Sequence, residues 1–320
     1  VTSLRRYAFA LGPLTAAGLW GGMYVVSKWG FSVIPPVTLG FLRVALGGAA
    51  LLAVLRVGEA RASTATDGGS SVAREDWPGF VALGGWVTLT IATQFLGTDL
   101  TNASQGSLLT VLTPVFTVAL GAAVLGERVT RTKAVGVALA GVGTVVVLAG
   151  QYDLGGIPAG NVLGVALLLV ASVAWAGFTV WGAPLVRRYS ALTAATYSTL
   201  ASVPMLGALS VVELAALGYG LGDVPLDGPM LLGSGPTLLA VAYLGLASTA
   251  AAWYLWYTGL EYVSAGTVAV FFFAQPVVGA ALGAVFLDER LGPGFALGGA
   301  LMAAGVWTVS RVRAEPVGDD

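Results

Sequence analysis

One guanidinium interrupts an otherwise apolar run. Arg43 follows PVTLGFL and precedes VALGGAALLAVL. A planar guanidinium can hold a carboxylate through two parallel hydrogen bonds, which an ammonium cannot reproduce. Charge inside such a run is costly and marks a site. Three roles are open to Arg43: contact with an anionic group of a small molecule, pairing with Glu213 as a gate, or snorkelling to an interface. Lys28 and Glu213, near run ends, read as snorkelling residues. Pro114 and Pro276 lie at the centres of two other runs. Each lacks an N–H, which leaves the carbonyl four residues earlier, that of Thr110 or Phe272, without its usual donor. Gln275 directly precedes the second proline, and Gln94, Asn102 and Gln105 add further neutral hydrogen-bonding groups. Trp20 and Trp175 are mid-run, where an indole N–H needs a partner. Trp20, Tyr24, Arg43, Thr110, Trp175, Phe178, Phe272 and Gln275 are therefore the expected binding residues, with Pro114 and Pro276 as kinks or hinges. Glu127 and Glu289 each stand in a turn, where a carboxylate can cap the helix that follows.

Other chemistry is excluded by residue type. The chain has no His and no Cys. Zinc, haem and iron–sulfur sites of the usual kind, disulfides, and any His or Cys catalytic group are ruled out. No cofactor is expected, and no acid lies buried in a run to pair with a second for acid–base catalysis. A phosphate-cradling G-x-x-x-x-G-K-[ST] loop is absent, so ATP is not a direct energy source. The sequence does not read as an enzyme.

The elements that must position these residues follow from composition. Of 320 residues, 57% are hydrophobic and only 10% are charged, with 46 glycines. A soluble domain carries ~25% charged residues. Neither a soluble enzyme nor a nucleic-acid binder fits. An all-α integral membrane protein does. Ten apolar runs have the ~20 residues a helix needs to cross a bilayer. They cover 8–30, 37–57, 78–98, 104–125, 132–150, 161–183, 191–217, 237–259, 264–286 and 292–310. Arg5-Arg6 ahead of the first run resembles a leader, but this run of about 23 residues exceeds the ~7–15-residue core of a leader, so it is expected to remain as a span.

Lys and Arg set the orientation. With the N-terminus in the cytoplasm, the inner segments hold Arg5, Arg6, Arg56, Arg61, Arg74, Arg128, Arg131, Lys133, Arg187, Arg188, Arg311 and Arg313, and the outer loops hold only Arg290. A multi-pass plasma-membrane protein with both termini cytoplasmic is expected.

The chain also repeats itself. A shift of 162 places Pro114 on Pro276, Gly121 on Gly283, Glu127-Arg128 on Glu289-Arg290, Gly136 on Gly298 and Gly143 on Gly305. A shift of 155 places Trp20 on Trp175 and Gly22 on Gly177. Residues 1–150 and 151–320 thus form two five-helix repeats, and an odd number of spans inverts the second relative to the first. Such inverted halves hold substrate between them at the midplane of secondary transporters. Small-residue patterns at Gly18-x-x-x-Gly22, Gly136-x-x-x-Ala140 and Gly279-x-x-x-Gly283 permit close helix packing or a dimer face, leaving monomer and homodimer both open.

The strings PVFTVALGAAVLGERVTRTKAVGVALAGVG at 114–143 and PVVGAALGAVFLDERLGPGFALGGALMAAG at 276–305, with Trp20-Gly21-Gly22, Lys28 and Phe41-Leu42-Arg43, resemble the EamA branch of the drug/metabolite transporter superfamily. The resemblance spans nearly the whole chain and implies ten helices and carriage of small metabolites, often amino acids and often outward. Related four-span multidrug exporters use a buried Glu in their first span. No acid lies in 8–30 here, so that proton-coupled mechanism is not expected. The expected partners are a small-molecule substrate, the lipid bilayer, and a coupling H+ or Na+ or a counter-metabolite, with no nucleic acid. The alternative is a channel or receptor-like membrane protein.

Overall fold

The computed structural model describes residues 8–62, 72–101, 106, 109–151, 162–219, 235–278 and 293–311. Among them every regular element is helical. The chain runs α1 Ala8–Gly21, α2 Met23–Gly30, α3 Pro36–Ala62, α4 Trp77–Leu100, α5 Thr113–Leu125, α6 Arg131–Gln151, α7 Val162–Tyr189 and α8 Ala191–Ala216. It continues as α9 Gly235–Ala242, a π-helical segment Tyr243–Ala251, α10 Ala252–Leu260, α11 Ala265–Val270, a 3-10 turn Phe271–Phe273 and α12 Pro293–Arg311. Each of the ten expected runs contains helix. Five stretches are continuous and apolar enough to cross a bilayer: Pro36–Arg61, Arg74–Leu100, Val162–Tyr189, Ala191–Ala216 and Gly235–Leu260.

The remaining runs are shorter, partly outside the described residues, or interrupted. The first run breaks at Gly22, between α1 and α2. The fourth and ninth loosen just ahead of their prolines, at a turn over 111–112 and at Phe271–Phe273. Pro114 consequently stands in the first turn of α5, where its missing N–H removes no helical bond. It restarts a helix there instead of kinking a continuous one, a correction to the reading from sequence.

Packing pairs distant parts of the chain. α6 lies along α12, α4 against α7 and α8, α3 against α8 and the π segment, α1 along α10, and α5 along α7 and α11. The α6–α12 seam is made by glycine. A Cβ on Gly143 would sit 2.5 Å from the Gly298 carbonyl oxygen and 2.6 Å from the Met302 amide nitrogen. Gly305 similarly meets the Gly136 carbonyl at 2.6 Å. Because these neighbours are backbone, the helices themselves must part. Gly143→Ala is expected to lower stability by about 1–3 kcal/mol. An unchanged thermal midpoint in detergent would rule out a tight seam.

The core centres on Trp20, Trp175, Phe178, Trp253, Trp256, Tyr257 and Phe272, all buried. These rings come from α1, α7, α10 and the 3-10 turn, and they meet near the break in the first run.

Candidate functional site

The break at Gly22 begins the site. A helix end leaves carbonyls without intrahelical donors, and here side chains from elsewhere supply them. Tyr243 Oη donates to the Leu19 carbonyl at 2.6 Å, and Gln275 Nε2 donates to the Trp20 carbonyl at 3.2 Å. Trp20 Nε1 donates to the Ser248 carbonyl at 2.8 Å. The first run is thus tied to the eighth and ninth.

Arg43 reaches the same place from α3. It is 1% exposed. Its Nη2 donates to the Ser248 carbonyl at 3.0 Å, its Nε to Thr249 Oγ1 at 2.8 Å, and its Nη1 to Met23 Sδ at 3.0 Å. The guanidinium lies over the Phe95 ring, 5.4 Å from its centroid. All these partners are neutral.

Arg43 does not pair with Glu213. That carboxylate takes Val37 N at 2.9 Å, Thr38 N at 2.7 Å and Thr38 Oγ1 at 2.8 Å, capping the start of α3. The orphan N–H groups of that helix end are stronger claims on it than a guanidinium farther along. Lys28 likewise has a partner: its Nζ lies 2.7 Å from the Asp99 carbonyl and 3.6 Å from Asp99 Oδ1.

Between Arg43 and the aromatic core lies a cavity of about 30 Å³. Its walls are Trp20 and Met23 of the first run, Arg43 of the second, and Thr90, Ile91 and Gln94 of the third. Thr110 and Thr113 come from the fourth, Ala171 and Trp175 from α7, Trp253 from α10, and Phe272 and Gln275 from the ninth. No acidic residue lines it.

Of the residues expected from sequence, Trp20, Arg43, Thr110, Trp175, Phe272 and Gln275 line this cavity. Tyr24 stands behind the wall: its hydroxyl donates to Thr110 Oγ1 at 2.8 Å and accepts from Gln94 Nε2 at 2.8 Å. Phe178 is one ring further back, stacked on Tyr257 at 4.8 Å and beside Trp175 at 5.0 Å. Pro114 and Pro276 are adjacent in sequence to wall residues Thr113 and Gln275. Asn102, Gln105 and Glu289 lie outside the described residues.

Ser248 and Thr249 were not anticipated. Their only signal in the sequence is a pair of hydroxyl residues within an apolar run. Two wall atoms, Trp175 Nε1 and Thr113 Oγ1, are buried with no hydrogen-bond partner among the described residues. Native interiors rarely leave such groups orphaned. Chemically the site is a buried cation and spare hydrogen-bond donors among indole faces. It is suited to an anionic group attached to an apolar or aromatic-compatible body.

A second polar centre lies at the α5–α6 turn. Glu127 does not cap the helix that follows it, because Thr130 Oγ1 accepts Lys133 N at the start of α6. Its carboxylate instead takes Ala265 N at 2.7 Å and Gly266 N at 3.0 Å, capping α11. Lys133 Nζ sits 3.5 Å from Glu127 Oε2 and 3.2 Å from Ser264 Oγ.

Comparison with known proteins gives a consistent picture. The sequence matches the EamA-like transporter family over residues 8–149 and again over 162–311. It is 28% identical over 296 residues to an "Uncharacterized transporter" of Archaeoglobus fulgidus, covering 92% of this chain and 95% of that one. It is 28% identical over 298 residues to a "Probable amino-acid metabolite efflux pump" of Escherichia coli (strain K12), covering 90% of each. A solved crystal structure, described only as that of a protein, superposes with a TM-score of 0.74 at 24% identity, over 94% of this chain and 95% of that one. At that identity the likeness concerns the fold alone.

Proposed function

The chain belongs to the EamA-like transporter family, and from that premise we propose that it is a secondary carrier that exports an amino acid or related carboxylate across the plasma membrane by alternating access. The observation that carries this reading is Arg43: a buried guanidinium with only neutral partners, on the wall of a central cavity. An unpaired buried charge is costly, and a substrate carboxylate relieves it. The substrate's ammonium would meet the ring faces of Trp20, Trp175 and Trp253 by cation–π attraction.

Two inverted halves are part of the proposal. The family matches the chain twice in succession. The helix packing is also reciprocal. Span three lies on span six as span eight lies on span one. Span three meets seven as eight meets two, and four meets six as nine meets one. Spans two and seven, four and nine, and five and ten are paired with their own counterparts. Cavity walls come from both halves, as midplane binding between repeats requires. Both termini are placed in the cytoplasm by the Lys and Arg distribution. The coupling partner is a proton, a sodium ion or a counter-metabolite.

Counterflow in liposomes tests the carrier. Unlabelled amino acid inside the vesicles should accelerate uptake of the labelled one severalfold, and Arg43→Gln should abolish the acceleration. Flux that is saturable by neither side and indifferent to internal substrate would identify a channel and end the carrier reading.

A further inference from the structure

The central cavity is smaller than the substrate it is proposed to serve. At about 30 Å³ it admits on the order of one or two water-sized groups. An amino acid enters only when the walls part. Yet in this conformation the cavity already holds an excess of donors. A guanidinium has five N–H donors. Three are committed: to Thr249 Oγ1, to the Ser248 carbonyl, and to Met23 Sδ, a weak acceptor. Trp175 Nε1 and Thr113 Oγ1 line the same cavity without partners among the described residues. Water could satisfy their hydrogen bonds but would leave the positive charge uncompensated, and no carboxylate lines the walls.

We propose that this cavity is a chloride site. A monatomic anion is water-sized, so it fits where an amino acid does not. It accepts N–H and O–H donors from any direction, matching the spare donors of Arg43, Trp175 and Thr113. The indole and phenyl surfaces of Trp20, Trp253 and Phe272 give no compensation for lost hydration, which favours chloride and bromide over strongly hydrated divalent sulfate. Chloride and the substrate carboxylate then compete for one cation. The chloride-bound form is the compact carrier, and substrate entry displaces the halide. The inference rests on Arg43 being the anion-binding group of the carrier.

The test uses the purified full chain in detergent, with chloride, bromide or sulfate replacing gluconate at constant ionic strength. Chloride should raise the thermal midpoint saturably, bromide should quench tryptophan fluorescence saturably, and sulfate should do neither. Arg43→Gln should remove both responses. Trp175→Phe keeps the ring and removes the unpaired N–H, so it should weaken chloride about threefold or more, as loss of one hydrogen bond predicts. That second variant keeps the test decisive if Arg43→Gln does not fold. In counterflow, chloride should raise the apparent KM for substrate and leave the maximal rate unchanged. Equal midpoints and fluorescence in chloride and gluconate, with counterflow intact, overturn the chloride site and leave the carrier standing. Chloride effects that persist in Arg43→Gln also overturn it, since the halide then binds elsewhere. Absence of counterflow under every condition is the separate failure of the carrier reading.

Discussion

Arg43→Met is expected to leave the protein folded while transport falls by about a hundredfold or more, equivalent to ~2.7 kcal/mol. The two halves of this expectation have one physical cause. Arg43 is desolvated and has no carboxylate partner, so the folded protein bears the cost of its charge. Replacing a buried charge with an apolar side chain of similar length is often neutral or stabilising. The thermal midpoint should therefore hold or rise. Function should be lost because the carboxylate of the substrate has no other cation in the cavity. Arg43→Lys separates charge from geometry. It retains the positive charge but cannot make two parallel hydrogen bonds, and transport should fall at least about tenfold, ~1.4 kcal/mol. Wild-type transport rates in both variants, across substrate concentrations, would reduce Arg43 to a structural residue.

Glu127→Ala should act in the opposite sense and destabilise the fold by about 3–5 kcal/mol, the range for breaking a buried ion pair by deleting one partner. The Glu127 and Lys133 side chains are 10% and 6% exposed. Deleting the carboxylate strands Lys133 and removes the acceptor for two N–H groups at the start of α11. The helix start then has no cap from this turn. Adding Lys133→Met should recover part of the loss, because the stranded charge is then gone while the uncapped amides remain. Denaturation of the single and double variants in detergent measures both effects. A loss under about 1 kcal/mol for Glu127→Ala would place the pair among weak surface contacts.

The spans were legible because a bilayer imposes a length on any helix that crosses it, and runs of that length are hard to mistake in a chain that is 10% charged. Arg43 was legible for the same reason, as a charge where the pattern allows none. Its partners were not. Ser248 and Thr249 are more than 200 residues away, and hydroxyl residues in apolar helices commonly bond their own backbone, as Thr90 does to Trp86. The two carboxylates misread from sequence share one cause. Local reasoning assigns Glu127 to the next helix and Glu213 to the membrane interface. The structure gives each to the start of a helix distant in sequence, because unpaired amides at a buried helix end must be satisfied by whatever the fold brings near. The break at Gly22 was equally hidden: its carbonyls are used by Tyr243 and Gln275, and no pattern around residue 22 announces those partners.

The π-helical segment Tyr243–Ala251 makes chain length itself a determinant of specificity. A π turn holds one residue more than an α turn, so this span carries a surplus residue that it has kept within the helix instead of expelling it to a loop. Removing that residue would let the stretch close into α geometry, drawing Ala252–Leu260 inward by ~1.5 Å and rotating it by about 100°. Trp253 would leave the cavity wall, and Trp256 would leave Thr179, to which it now donates at 3.1 Å. A single codon gained or lost here would thus exchange one face of the helix for another without altering any side chain. Two descendants of one ancestral gene could differ in what they carry through a change that leaves their composition almost untouched.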